Sequence, residues 1–373
     1  MPQLFTLLFL QEQTSLWILK ATVRFCVPIL FETNQTPEGT NKRGKLAGEM
    51  VRVGTRGSKL ARTQTGHVIE QLQSFGFEVQ EVIITTRGDQ QQTVPIAQIG
   101  NDGVFVRELE RALLEERIDM AVHSLKDLPT AMTSGLEFAC TPPRATPFDV
   151  LVSRDGVGLR DLPKDASVGT ASIRRRIQVQ AVRPDLQIVA IRGNVDSRLK
   201  RLDEGELDAV VLAAAGLERL GYAERISELL RPPEFWPAVA QGALVIQIKE
   251  TNQRVREILE PIQDSATYLA TIAERALLAA LAGGCLAPIG SWGKFGAEGD
   301  LSLGGCVLSD AGGKVEMLTA SCSSQVHNSE GAGSLGREVA EQLLRQGAQE
   351  LLDLMRDGGP PPHREIVSKN QRQ

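Results

Sequence analysis

Little in this chain points to a membrane, a metal or a disulfide framework. Its five cysteines, Cys26, Cys140, Cys285, Cys306 and Cys322, are scattered, odd in number and without a C-x-x-C pair. That spacing argues against both a disulfide scaffold and a zinc site and fits a reducing cytoplasm. The four histidines, His67, His123, His327 and His363, show no ligand spacing either, so no metal is assigned. No apolar run reaches the roughly 18 to 20 residues of a membrane span. Leu4 to Leu10 and Val27 to Phe31 are interrupted by Gln11-Glu-Gln13 and Arg24. A positively charged start and a small-residue cleavage site are missing, so no signal peptide is expected. A basic excess is absent too: the formal net charge is -5 over 373 residues. A general nucleic-acid binder needs a basic surface to displace phosphate counterions, and any role for arginine here must be local.

What is present is globular. Hydrophobic residues make up 42% and charged residues 23%, and the length calls for two or three domains. Residues 1–49 differ from the rest and are expected to be an extension without fixed structure, with folded chain starting near Met50.

From Met50 two stretches run in parallel. The first reads Val53-Gly-Thr-Arg-Gly-Ser58, a helix with Val68, Ile69, Leu72 and Phe75 on one face, a strand Val79 to Thr86 ending in Arg87-Gly-Asp89, a helix stepping Phe105, Leu109, Leu113, and a strand Ile118 to Val122. The second reads Val168-Gly-Thr-Ala-Ser-Ile-Arg-Arg175, a helix, a strand Leu186 to Ile191 ending in Arg192-Gly-Asn194, a helix, and a strand Leu207 to Leu212. Strands alternating with helices imply parallel sheets with right-handed crossovers. The fold class expected is α/β: two similar lobes with doubly wound, mainly parallel sheets, plus a smaller α+β C-terminal domain.

Prolines 142, 143 and 147 mark one crossing between the lobes. Arg231-Pro-Pro-Glu-Phe-Trp-Pro237 precedes a return strand Ala243 to Ile248, and two crossings make a hinge suited to cleft closure. The third unit holds a helix Ala266 to Ala282 stopped by Gly283-Gly284, strands near Gly290, Leu301 to Leu308 and Val315 to Ser321, and a helix Arg337 to Met355. The expected division is lobe 1 at 50–143 with 240–260, lobe 2 at 148–238, a C-terminal domain at 265–357 and a tail at 358–373.

Ligands of open α/β sheets bind beyond the carboxyl ends of the strands. Polar residues gather at those ends: Arg56 and Ser58, Lys126 and Asp127 in His123-Ser-Leu-Lys-Asp-Leu-Pro129, Ser172, Arg174 and Arg175, and Arg192. Arg198 and Arg219 follow on the next elements. Guanidinium forks suit carboxylates because they make paired, charge-assisted hydrogen bonds, so an acidic small substrate is inferred. Each residue taken alone has a plainer reading. The arginines fit solvated helix faces, Ser58 and Ser172 fit helix caps, Asp127 fits a turn before Pro129, and Cys285 fits an inert buried thiol. Six arginines at matching places in two copies weigh against the plain reading. Among cations in a cleft, Asp127 would stay ionised and could stabilise a cation or exchange protons with it. His123 is read as a packed strand-end residue.

Taken together, Val53-Gly-Thr-Arg-Gly-Ser58, Ala121-Val-His-Ser-Leu-Lys-Asp-Leu-Pro129, Gly169-Thr-Ala-Ser-Ile-Arg-Arg175, Ile191-Arg-Gly-Asn-Val-Asp-Ser-Arg-Leu199 and Gly283-Gly-Cys285 closely resemble the porphobilinogen deaminases, from about Arg52 to about Asp357. The resemblance implies two lobes like those of periplasmic binding proteins and a third domain. It implies a monomeric transferase of tetrapyrrole biosynthesis, with porphobilinogen as its substrate and no nucleic-acid or membrane partner. Such enzymes condense four porphobilinogen molecules head to tail, release ammonia at each step and free hydroxymethylbilane. The chain grows on a dipyrromethane cofactor. Cys285 matches the cysteine that holds that cofactor by a thioether bond, and Asp127 matches the catalytic aspartate, which would stabilise the cationic azafulvene. Ser58, Lys126, Ser172, Arg174, Arg175, Arg192 and Asn194 match cofactor-binding positions. Arg56, Arg198, Arg219 and Phe105 match substrate-binding ones.

There are departures from the family pattern. In the polar segment Thr93 to Gly103, expected to be a lid, Gln98 and Asp102 stand where relatives often have lysine, and Ala240 stands where glycine is usual. The rival reading is a two-lobed, non-catalytic binding module for an acidic metabolite. It explains the repeats and the arginines but neither Cys285 nor the third domain. A phosphate-loop transferase built on Gly54-Thr-Arg-Gly57 fails on its glycine spacing.

Overall fold

The computed structural model describes residues 50–85, 106–281 and 287–357. The expectations at residues 1–49, at Thr93 to Gly103, at Phe105, at Cys285 and in the tail 358–373 lie outside these residues.

Along the chain come β1 (Val51–Arg56), β2 (Val79–Ile84), β3 (Met120–Ser124), β4 (Leu136–Cys140), β5 (Asp149–Ser153), β6 (Ser167–Gly169), β7 (Gln187–Val189), β8 (Ala209–Ala213), β9 (Glu228–Leu230) and β10 (Leu244–Lys249). They form two five-stranded sheets, ordered β2-β1-β3-β10-β4 and β7-β6-β8-β5-β9. In each sheet the three strands at one side are mutually parallel, and the fourth position runs antiparallel to both neighbours. That fourth strand is the first formed after a crossing between the lobes: β10 returns to sheet one, and β5 opens sheet two. Both lobes therefore share one plan, second strand, first, third, post-crossing strand, last. The sequence reading anticipated β10 but not the post-crossing strand β5 or the edges β4 and β9. Those runs are short and lie beside prolines, where local periodicity is weak.

Helices cover both faces. α1 (Lys59–Ser74) follows β1, α2 (Arg107–Leu114) precedes β3, and α3 (Ile173–Val182), α4 (Val195–Asp203) and α5 (Ala214–Arg219) follow β6, β7 and β8. Sheet two shows why. Val150, Val152, Val210 and Leu212 enter one core while Leu151, Val168, Ala209 and Val211 enter the other. Both faces of a strand are thus buried, and the strands read as unbroken apolar runs. On α1, Val68 and Leu72 are buried, but Phe75 is 50% exposed because the helix has already ended there.

The chain crosses twice between lobes, and the crossings touch. Ala145 N–H donates to the Gly242 carbonyl at 3.3 Å. Gly242 has φ +87, and a Cβ there would sit 2.6 Å from the Ala145 carbonyl oxygen, so only glycine fits. Ala240 has φ +58; this left-handed backbone is the reason glycine suits the position.

The third unit begins after α6 (Gln253–Leu259) with α7 (Ser265–Ala280), whose Asp264 cap accepts from the Thr267 amide at 2.7 Å. An antiparallel sheet β11 (Ile289–Phe295), β12 (Asp300–Ser309) and β13 (Glu316–Gln325) follows. The single helix expected over Arg337 to Met355 is two: α8 (Ser329–Arg345) and α9 (Ala348–Asp357). Gly347, at φ +98, breaks them. Among the described residues no helix is long and apolar enough to cross a membrane.

Candidate functional site

Among the described residues, Arg56, Ser58, Lys126, Asp127, Ser172, Arg174, Arg175, Arg192 and Asn194 lie at or just beyond the carboxyl ends of the parallel strands. Ser58, Ser172 and Asn194 each sit in extended backbone just before a helix, and their side chains accept from the Ala61, Arg175 and Ser197 amides at 3.3, 3.4 and 2.8 Å. They are N-caps, so their side-chain acceptors are occupied by their own helices.

Arg174 and Arg175 are buried on the first turn of α3, and a residue that sequence reasoning missed explains how. Asp149, fully buried at the head of β5, meets Arg174 Nη1 at 2.7 Å and Arg175 Nη2 at 2.6 Å and Nε at 3.0 Å. The two guanidinium groups hold its carboxyl well below the usual carboxylate range despite the opposing cost of burial. Arg174 also donates to the Trp236 carbonyl, and Arg175 to that of Val211 at 3.1 Å. The available signal was a lone acid heading the apolar run Val150 to Val152.

Gln241, also fully buried, joins this pair to the other lobe. Its amide nitrogen donates to Pro147 O at 2.9 Å and Asp149 Oδ1 at 3.0 Å, and its oxygen accepts from Lys126 Nζ and Arg175 Nη2, both at 3.4 Å. One amide oxygen thus lies between a cation of lobe 1 and a cation of lobe 2. Burial pushes Lys126 below the usual lysine range. Asp127 opposes that shift, and the positive charge of Arg175 adds to it. Arg198 is pushed down to about 10 by burial and by the charges of Arg175 and Arg192, and it donates to the Gly193 carbonyl at 3.0 Å. Lys126, Arg174 and Arg175 therefore act on Asp149, Asp127 acts on Lys126, and Arg192 and Arg198 extend the group through Arg175, with more cations than carboxylates. A site with surplus partly buried positive charge fits a group bearing several carboxylates.

The remaining residues lie nearby or apart. Arg219 is pushed down to about 10 by burial and donates to the hinge carbonyl of Gly242 at 2.8 Å. Arg56 ends β1 half-buried, and its charge acts on His123. Burial pushes His123 down to about 4; Gln247 opposes this and Arg56 adds to it. His123 is a packed strand residue, as expected. Arg192 and Asn194 are exposed.

Asp127 closes a short 3-10 turn, Leu125–Asp127, and is exposed rather than enclosed. Its backbone is nonetheless anchored. Leu125 and Leu128 are buried in the same core as α7 and β10. Arg275 of α7 donates to the Leu128 and Pro129 carbonyls at 3.3 and 2.6 Å. Sequence reasoning missed Arg275, a lone cation on an apolar helix. Of the described cysteines, Cys140 and Cys306 are buried and pushed up to about 12, leaving them as inert thiols.

Two α/β lobes joined by a double crossing, with cations of both gathered around Gln241 and Asp149, define a two-lobed protein suited to a small polyanion. The family described as porphobilinogen deaminase, dipyromethane cofactor binding domain, matches residues 51–257, and the porphobilinogen deaminase C-terminal domain matches 268–345. Porphobilinogen deaminase of Syntrophobacter fumaroxidans is 42% identical over 310 residues, covering 83% of this chain and 98% of its own length. That of Roseiflexus is 45% identical over 304 residues, covering 80% and 97%. This chain belongs to the porphobilinogen deaminase family. The solved methionine binding protein MetQ is similar at 15% identity and a TM-score of 0.37, over 59% of this chain and 92% of its own. That similarity is too distant to add to the fold, which rests on the strand order.

Proposed function

We propose that the cation group around Asp149 and Gln241 is the active site of a porphobilinogen-condensing transferase, with the roles expected from the sequence. The reaction is that of the family: porphobilinogen units are joined on a dipyrromethane cofactor in tetrapyrrole biosynthesis. A non-catalytic binding module is not favoured, because the C-terminal family domain is present as well. In this reading lobe 1 comprises 50–143 and 240–260, lobe 2 comprises 148–238, and 265–357 carries the cofactor cysteine. The protein acts as a cytoplasmic monomer without nucleic-acid or membrane partners.

The observation that carries the assignment is the surplus of cations drawn from both lobes onto one side-chain oxygen, that of Gln241. The cofactor, held through Cys285, supplies the primer to which units are added. Arg174, Arg175, Arg192 and Lys126 neutralise carboxylates on it, while Ser58, Ser172 and Asn194 keep the first-turn amides of their helices directed at the cleft. Arg56, Arg198, Arg219 and Phe105 bind the acetate and propionate of the incoming porphobilinogen. Asp127, on a turn anchored by Leu125, Leu128 and Arg275, places a negative charge where the substrate becomes cationic as ammonia departs. Its carboxylate also accepts a hydrogen bond from the pyrrole N–H and is placed to take the proton released from ring carbon when the units join.

Acidic dimethylaminobenzaldehyde tests the assignment. Purified protein is expected to give the dipyrromethane colour, and Cys285→Ser to lack both the colour and the matching added mass. A colourless holoprotein with an unmodified Cys285 would return the binding module to consideration.

A further inference from the structure

Lys59 is electrostatically out of place in its own helix. It is the first residue of α1, where the unpaired amides make the helix end positive, and the first turn holds no acid to offset it. Its partners come from the opposite lobe. Lys59 Nζ donates to Asp196 Oδ1 and to the Tyr222 hydroxyl, both at 3.2 Å, and lies 5.1 Å from the Tyr222 ring centroid. The Tyr222 hydroxyl donates in turn to Asp196 Oδ1 at 2.6 Å. Asp196 lies in the first turn of α4, where a negative charge is favoured. The three side chains close a triangle that spans the two lobes. Lys59 adjoins the cap Ser58 on one rim of the cleft, and Asp196 lies two residues beyond the cap Asn194 on the other.

We propose that Lys59, Asp196 and Tyr222 form an interlobe clasp that sets the width of the cleft mouth and resists the widening needed as the bound chain lengthens. These are positioning residues: they touch no reacting atom and act by fixing the separation of the helix starts capped by Ser58 and Asn194. The inference rests on the elongation reaction proposed above. Each added unit needs room between lobes joined by a double crossing, and a contact across the mouth opposes that opening. Cutting the clasp therefore speeds late additions relative to the first. Because Lys59 is exposed, salt weakens its pair with Asp196.

The test uses the holoenzyme, quenched after short exposure to porphobilinogen and resolved by intact-protein mass into complexes carrying one, two, three or four added units. Lys59→Met is expected to raise the ratio of late to first addition rates about two- to fivefold, the size expected for an exposed charge pair. Asp196→Asn should do the same, and the double variant should do no more than either alone. Lys59→Arg should restore the parent distribution. Raising ionic strength should narrow the difference between the parent protein and Lys59→Met, because only the parent has the clasp to lose. An unchanged ladder in Lys59→Met, or additive effects of the two substitutions, would overturn the clasp. A parent protein giving no ladder at all would instead sink the elongation reaction, and the clasp with it.

Discussion

Arg144 and Glu274 face each other in a two-pronged pair, Nη1 to Oε1 at 2.6 Å and Nη2 to Oε2 at 3.1 Å. Glu274 is on α7 of the third unit; Arg144 is on the first hinge crossing. The same carboxylate accepts from Ala240 N on the second crossing at 2.6 Å and from Gly293 N at 2.8 Å. One fully buried side chain therefore ties both crossings to the third unit. Removing one partner leaves the other charge buried and unpaired, so Glu274→Ala is expected to cost about 3 to 5 kcal/mol. Urea unfolding with and without the substitution measures it. A loss under about 1 kcal/mol would mean the contact is replaceable.

His123 gives a pH signature. Its folded value lies near 4 against an ordinary 6.5, because the buried ring resists protonation. Below pH 6.5 the unfolded chain takes up a proton that the folded chain refuses. The stabilisation is complete above 6.5 and drains away as pH falls toward 4, by about 3 kcal/mol in all. Asp149, depressed in the folded state, contributes above the ordinary carboxylate range and loses that contribution only at lower pH. In His123→Asn the slope of stability between pH 4 and 6.5 should flatten while the acid limb below it persists. An unaltered slope would show that His123 titrates normally.

Asp127→Asn removes charge from an exposed turn residue, so the fold should tolerate it to within about 0.5 kcal/mol. The variant is expected to keep its dipyrromethane colour and to turn over about 100- to 10,000-fold more slowly. Steady-state product formation with parallel colour assay separates these outcomes, and near-normal turnover would remove Asp127 from the chemistry.

Arg198 is held against two like charges, Arg175 and Arg192. Arg198→Met should leave the denaturation midpoint close to the parent value, because relief of that repulsion offsets the lost bond to Gly193. The KM for porphobilinogen should nonetheless rise about 10- to 100-fold, through loss of charge-assisted bonds of about 1.5 to 3 kcal/mol. A strong loss of stability with unchanged KM would make Arg198 structural.

Local chemistry was legible in the sequence because it acts over a few residues. The caps Ser58 and Ser172 reach amides three positions on, the apolar strands announce themselves by composition, and the repeated order of elements implies paired parallel sheets. The motifs at strand ends carried the family. The break at Gly347 was missed because a helix that stops and restarts after one glycine leaves nearly the same apolar pattern.

The sequence by itself determined the two-lobed α/β plan and the gathering of cations just past the strand ends. Only the tertiary structure decided which charges meet. Asp149 joins Arg175 across 26 positions, Gln241 joins Lys126 across 115, and Lys59 joins Asp196 across 137. No periodicity encodes such distances. They exist because the chain crosses between the lobes twice, entering one sheet on β5 and re-entering the other on β10, which brings the hinge and both strand rims together.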